Sequence, residues 1–304
     1  MPVKKSKRNE LILLIHSLRD SMILLSKNDP LRMAGATAFF TTFALPPIIF
    51  ILAQFFGLFI GRGNMGRGLI DHLSNTLGKE GANQVREVIR SILRFSDNWY
   101  VIVIGFIFLV FVATTLFSVI KNSLDQIWQI GIKERSGILF ALSTRARSFA
   151  VILFAGILFF ADLLFESVEV IAGSYIDKLW QDGGIYFRGI ASKIGSVIIV
   201  SAWFILLFRF LADARPSWKA SLSGGLLTGI LFTAGRWLLK FLLVTSNVGQ
   251  LYGASGSFVL ILLFVFYSSF ILYYGACFIA VYSEKKKWNL KLNTRAYTYK
   301  IERL

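Results

Sequence analysis

Long apolar stretches recur along this chain, separated by short basic or glycine-rich segments. The clearest opens on Leu251-Tyr-Gly-Ala-Ser-Gly-Ser257, carries no charge from Phe258 to Tyr282, and stops at Ser283-Glu-Lys-Lys-Lys287. About 20 apolar residues are enough for a helix to cross a hydrocarbon core, so this stretch predicts a membrane span. The same pattern predicts spans at 34–60, 99–119, 147–171, 190–211, 220–244 and 251–282. The fold class is therefore all-α, a polytopic membrane protein with six transmembrane helices in a domain covering 29–284. Pro46-Pro47 remove two backbone donors and are expected to kink or interrupt the first span.

The polar segments have their own periodicity. In the segment 1–28, Leu11, Leu14, Ile15, Leu18, Met22 and Leu25 fall on one helical face, with Arg19, Asp20 and Ser21 turned away. That predicts an amphipathic helix lying in the interface or packed on the cytoplasmic span ends. Gly61-Arg-Gly-Asn-Met-Gly-Arg-Gly68 opens a polar segment, 61–98, in which Val85, Val88, Ile89, Ile92 and Leu93 recur at helical spacing. This is expected to form an amphipathic outer cap. Residues 285–304 make a basic cytoplasmic tail, expected to be flexible beyond the lysines.

Composition agrees: 55% hydrophobic and 16% charged, with mean hydropathy +0.63, is far from a soluble domain. The net charge of +16 acquires meaning from its distribution. Seven Lys and Arg precede residue 33, five lie in 121–147, three in 209–219 and seven from Lys285 on, 22 of the 33 in all. Basic flanks stay cytoplasmic, so both termini are expected inside, and the tail's cations are expected to meet anionic headgroups. Nucleic acid is not an expected partner, and homo-oligomerisation is left open. The single cysteine, Cys277, excludes an intramolecular disulfide.

Candidate chemistry lies within the spans. Asp162, Glu166 and Glu169 are spaced by four and three on one face of span three, and Arg236 and Lys240 are one turn apart in span five. At ~1.5 Å per residue, Asp162 lies ~22 Å and Arg236 ~24 Å from the cytoplasmic ends. Isolated charges at that depth are costly. They are expected either to pair across helices or to line a polar pathway between spans three, five and six. Ser221, Gly225, Gly229 and Thr233 form a small-residue ridge for close helix packing. Lys121 with Asp125, and Arg209 with Asp213, read as exposed helix-end pairs of little energetic weight.

Catalytic signatures are absent. There is no phosphate loop, Cys-x-x-Cys, His-Glu-x-x-His or Gly-x-Ser-x-Gly. Ser255 in its glycine-rich turn has no histidine partner nearby, and His16 and His72 flank the first span on opposite sides, so no metal or cofactor site is expected.

Three stretches together resemble the YihY / virulence-factor BrkB family of bacterial inner-membrane proteins, once labelled ribonuclease BN. They are Arg32-Met-Ala-Gly-Ala-Thr-Ala-Phe-Phe40 leading to Pro46; Ser123-Leu-Asp-Gln-Ile-Trp128; and Pro216-Ser-Trp218 with Gly224-Gly225, Tyr252-Gly253-Ala-Ser-Gly256 and Gly275-Ala276. The resemblance covers roughly Asp29 to Tyr282. The chain departs from it with Asp125 where Asn is usual, Phe264 where Trp is usual, and Cys277 where Glu is common. The resemblance implies six helices, the inner membrane, and a role in transport or envelope-lipid handling. The alternative expectation is a non-transporting envelope scaffold acting through the outer cap. A membrane-bound hydrolase or ribonuclease is the least expected, since no nuclease metal cluster is present.

Overall fold

The computed structural model describes residues 7–60, 86–87, 99–132, 183–245, 256–292 and 296–299, with helical residues 145–146, 149–151, 153–154, 156–158, 161 and 176 between them. Six long helices organise these residues: α1 (Lys7–Ser26), α2 (Pro30–Ile60), α3 (Trp99–Ile127), α4 (Gly183–Phe210), α5 (Trp218–Thr245) and α6 (Gly256–Lys286). Pro30 opens α2, where its missing N–H has no helical partner to lose. The helix then continues through Pro46 and Pro47 to Ile60 without interruption, so the pair does not break it into two elements. The outer cap, apart from Arg86 and Glu87, lies outside the described residues, as does most of the predicted third span.

α6 is the hub, packing against α1, α2 and α5 and touching α3, while α4 packs on α5 and α2 on α3. Tyr273, Phe278 and Ile279 of α6 are fully buried together with Phe208, Leu211, Leu124, Leu25 and Met33. The outward faces are apolar as well: Phe39, Phe43, Ile107, Phe108, Leu222, Leu226, Ile230 and Trp237 are all exposed. An apolar patch that extensive is disfavoured in water and is what lipid contact requires. Among the described residues, Lys193–Phe210 and Leu262–Lys286 are long and apolar enough to cross a membrane.

α1 turns much of its apolar face outward, as a helix lying in the interface would, rather than onto the span ends. Its protein-facing side is Ser17, Ser21 and Leu25, whereas Leu14, Ile15 and Met22 are exposed. Burying serines is inexpensive here because Ser17 Oγ donates to Leu13 O at 2.7 Å and Ser21 Oγ to Ser17 O at 2.5 Å. Their small size lets α1 approach α6 closely. The two helices are joined by Tyr274 Oη donating to Leu18 O at 3.1 Å, by Lys285 to Asp20 at 2.5 Å and by Lys286 to Glu10 at 3.1 Å. The hydrogen bond from Lys285 holds the Asp20 carboxyl below its ordinary range, and the bond to Glu10 raises the Lys286 ammonium above its own.

Residues 287–292 and 296–299 of the tail take defined structure where flexibility was expected beyond the lysines. α6 ends with Lys287 at φ 56° and with the Trp288 N–H bonded to Ser283 O at 2.8 Å, a helix-terminating turn. Two short ribbons follow. β3 (Lys291–Leu292) pairs antiparallel with β2 (Ala214–Arg215), and β4 (Ala296–Thr298) pairs antiparallel with β1 (Ile130–Ile132). Trp288, Leu290 and Ala296 pack on the main core. Tyr297 lies across Gly131, where any side chain would strike its ring. The tail thus clips the end of α3 to the link between α4 and α5.

Close approach of helices depends on glycine. A Cβ on Gly224 would collide with Ile279, on Gly225 with Ile205, on Gly229 with Ser201, on Gly235 with Tyr267 and on Gly275 with Thr228. Gly225 and Gly229 therefore seat α5 on α4, since the backbone of Ile205 lies 2.9 Å from the position a Cβ on Gly225 would occupy. Gly225→Leu and Gly229→Leu are each expected to destabilise the protein by at least the ~1–3 kcal/mol typical of overpacking. The measurement is thermal unfolding in detergent. Melting temperatures unchanged in both variants would contradict the close-packing account.

Candidate functional site

Among the described residues, the largest concentration of buried charge lies where the end of α3 meets the α4–α5 link. Lys121, Asp125 and Asp213 are 3%, 3% and 6% exposed. Lys121 Nζ donates to Asp125 Oδ2 at 3.0 Å and also to Asp213 Oδ2, while the Asp213 backbone N–H donates to Asp125 Oδ1 at 2.9 Å. The expectation of exposed helix-end pairs is overturned. The spacing of Lys121 and Asp125 was readable, but Asp213, 88 residues further on, closes the cluster and removes it from water. Arg209 lies with its guanidinium 4.9 Å from the Trp218 ring and donates from Nη1 to Pro216 O.

Lys121 is shared between the two carboxylates. Burial pushes the Asp125 carboxyl above its ordinary value of 3.8. Lys121 and the Asp213 N–H oppose the rise, and the neighbouring Asp213 carboxylate reinforces it.

The cluster ends a longer polar stripe. Thr114, Ser118, Lys121 and Asp125 are spaced by four, three and four, which places them on one face of α3 over ~16 Å. At its far end Arg145 Nη1 donates to Thr114 Oγ1 at 2.8 Å and to Phe111 O at 3.3 Å, with its guanidinium 4.0 Å from the Phe111 ring. Nearby, the buried hydroxyls of Thr37 and Tyr273 are 2.5 Å apart. The periodicity of 114, 118, 121 and 125 is the sequence signal that could have revealed this stripe.

Of the charges expected in the outer half, Asp162, Glu166 and Glu169 lie outside the described residues, and so does any cavity they line. Arg236 is half-buried, and its Nη2 donates to Ser196 Oγ of α4 at 3.1 Å. Lys240 lies one turn further along α5, its side chain outside the described residues.

In the small-residue ridge, Ser221 is fully buried and its Oγ has no partner among the described residues. Thr233 Oγ1 bonds back to Gly229 O at 2.8 Å.

The family-motif positions serve mainly as joints. Arg32 Nη2 donates to Gln126 Oε1 at 3.2 Å, and buried Trp128 donates from Nε1 to Ala276 O at 3.0 Å. Pro216 is buried and Trp218 exposed, and Gly275 abuts Thr228 and Phe208. Pro46 lies within α2 and Gly256 begins α6, while Tyr252 and Gly253 lie outside the described residues. No group of three His, Cys, Asp or Glu side chains that could hold a metal is present among the described residues.

Removing the ammonium alone leaves two buried carboxylates without it, so Lys121→Met is expected to cost about 3–5 kcal/mol. The triple change Lys121→Met, Asp125→Asn, Asp213→Asn is expected to cost less than Lys121→Met alone. Because folding raises the Asp125 pKa, its protonated form favours the fold. That contribution is full below the ordinary value and is lost as pH rises through the folded one. Asp20, with its pKa lowered, acts in the opposite sense, so comparison with Asp125→Asn isolates the effect. Thermal unfolding across acidic to neutral pH should show wild type losing more stability with rising pH than Asp125→Asn. Parallel curves would exclude Asp125 as the responsible group.

Comparison with known proteins supplies a family match. A family model described as "Virulence factor BrkB" matches residues 25–298. A UPF0761 membrane protein of Aggregatibacter aphrophilus is 23% identical over 262 residues, covering 85% of this chain and 89% of that protein. Another from Teredinibacter turnerae is 25% identical over 287 residues, 93% of this chain and 63% of that protein. A third, from Pseudoalteromonas translucida, is 25% identical over 249 residues, 80% and 78% of the two chains. The chain thus spans less than two thirds of the Teredinibacter relative. No solved structure matches.

Proposed function

From the premise that this chain belongs to the virulence factor BrkB family and is a membrane protein, we propose that it is an inner-membrane transporter or lipid-handling protein. It moves a polar solute or a lipid headgroup along a polar route between its helices. The observation carrying this reading is the stripe on α3, where Arg145, Lys121, Asp125 and Asp213 are held within a fold whose outer faces are apolar. These groups lie at the ends of the helices, where such a route would open, and buried charges there are costly unless paired. Asp125, whose proton affinity is raised, is the member suited to change charge as the route opens. The outer-half residues Asp162, Glu166, Arg236 and Lys240 extend the route toward the opposite face.

The proposed topology is six spans with both termini cytoplasmic. It is supported by the 22 of 33 basic residues in the segments assigned inside. It is also supported by the joining of those segments: α1 to the tail end of α6, Arg32 to Gln126, and both ribbons to the tail. A tag after Lys287 should be reachable only from the cytoplasm, and one within 78–83 only from outside. The opposite result at either position refutes the orientation.

Flux is read in vesicles of phosphatidylethanolamine and phosphatidylglycerol holding the purified protein. Internal pyranine reports protons, and dithionite reduction of a fluorescent phospholipid reports lipid movement. One of the two rates is expected to exceed that of protein-free vesicles, and to fall roughly tenfold or more in Asp125→Asn, a loss of ~1.4 kcal/mol in transition-state stabilisation. Both rates equal to the protein-free control would reject transport of protons and of lipid.

A further inference from the structure

The basic residues divide into those already engaged and a group that is not. Lys121 is held by two aspartates, and Lys285 and Lys286 are held by α1. Arg215 and Lys291 are different. They are directly opposed across the β2–β3 ribbon, so their side chains leave the same face, and both are exposed. Like charges directly opposed in an antiparallel pair repel. Exposed Lys219 follows in the first turn of α5, where the helix dipole adds positive potential. Among the described residues none of these three side chains has an ion pair or hydrogen bond, and neighbouring Asp213 is turned inward onto Lys121.

An apolar ridge starts at the same place. Trp218, Leu222, Leu226 and Ile230 recur every four residues up the outside of α5 at 57%, 59%, 49% and 50% exposure. Arg209 stacks over the Trp218 ring, and Phe210 meets it edge-on at 6.1 Å. An aromatic at the foot of an apolar helix face marks the membrane interface.

We propose that Arg215, Lys219 and Lys291 form a binding site for the phosphate of an anionic glycerophospholipid, whose acyl chains lie along the Trp218–Ile230 ridge. A bound phosphate screens the repulsion between Arg215 and Lys291, and the ridge supplies the contact that a free anion cannot use. The tail takes part in recognition because β3 carries Lys291 to the site. The site requires only that the chain be a membrane protein. Lipid binding lost with flux unchanged would separate it from the transport reading.

The test titrates the full-length protein in neutral detergent with phosphatidylglycerol bearing brominated acyl chains and follows quenching of tryptophan fluorescence. Trp218→Phe should remove a component of the quenching. Each of Arg215→Gln, Lys219→Gln and Lys291→Gln should weaken binding about fivefold, and the triple variant about a hundredfold, from the typical attraction of a cation to an anionic surface. The single variants alter exposed side chains and keep the test decisive if the triple variant does not fold. Brominated phosphatidylcholine should bind far more weakly, and inorganic phosphate at millimolar concentration should compete only partly. Equal affinity of all three single variants and wild type, equal binding of phosphatidylcholine, or complete displacement by inorganic phosphate would each overturn the proposal.

Discussion

One ammonium holding two buried carboxylates is the interaction on which the architecture of this end of the helices turns. Lys121 and Asp125 belong to α3, and Asp213 belongs to the link that sends the chain from α4 back into α5. The cluster fixes this link against α3. Immediately beyond Asp213 the chain forms β2, and immediately beyond α3 it forms β1. Both strands are completed by the tail. The position of the tail therefore follows from a charge interaction made elsewhere. Geometry of this quality is needed, because a buried ion cluster that is poorly paired costs more than it returns.

Above that end the helices are held differently. Between lipid-embedded helices there is little hydrophobic gain in trading lipid for protein contact, so dispersion and close approach have to supply the cohesion. Gly224 against Ile279, Gly229 against Ser201 and Gly275 against Thr228 are where this occurs. α6 is the hub because it offers both kinds of surface. Gly275 admits Thr228 of α5, while Tyr273 reaches Thr37 of α2 with its hydroxyl. Several buried hydroxyls bond to carbonyls of their own helix, as Thr228 does to Gly224 O and Ser269 to Val265 O, both at 2.7 Å. Polar residues such as these are buried with their donors satisfied, whereas Ser201, Ser221 and Ser283 have no partner for Oγ among the described residues.

What could be read from the chain alone follows from how local each signal is. The apolar runs and the four-residue spacing of Ser221, Gly225, Gly229 and Thr233 are local patterns, and the positions of the described long helices and the contacts of Gly225 and Gly229 follow from them. For α1 the apolar periodicity left open whether the apolar face met lipid or the span ends. In a lipid setting small size governs the protein-facing side, so Ser17 and Ser21 turn inward and Ile15 and Met22 turn out. The Lys121 cluster was misread because its decisive member, Asp213, is distant in sequence. The pairing of β3 and β4 was unreadable for the same reason, since strands of two and three residues have no periodicity of their own. The depth match of Asp162 with Arg236 concerns residues largely outside those described.

The basic excess, which in the sequence is a single number, separates into two physical roles once the pairings are known. Cations that meet carboxylates hold the fold together: Lys121 at the α3 cluster, and Lys285 and Lys286 at α1. Those left in water at the same end, Arg215, Lys219 and Lys291, are brought together by the ribbon that the first group helps to position. Orientation by the positive-inside rule needs only the number of cations near the membrane, whereas recognition of an anion needs them gathered on one face. Here the gathering depends on the tail's return to β2. A charge excess spread along the chain thus becomes, through one antiparallel pair, a local surface with a defined place beside the exposed apolar side of α5.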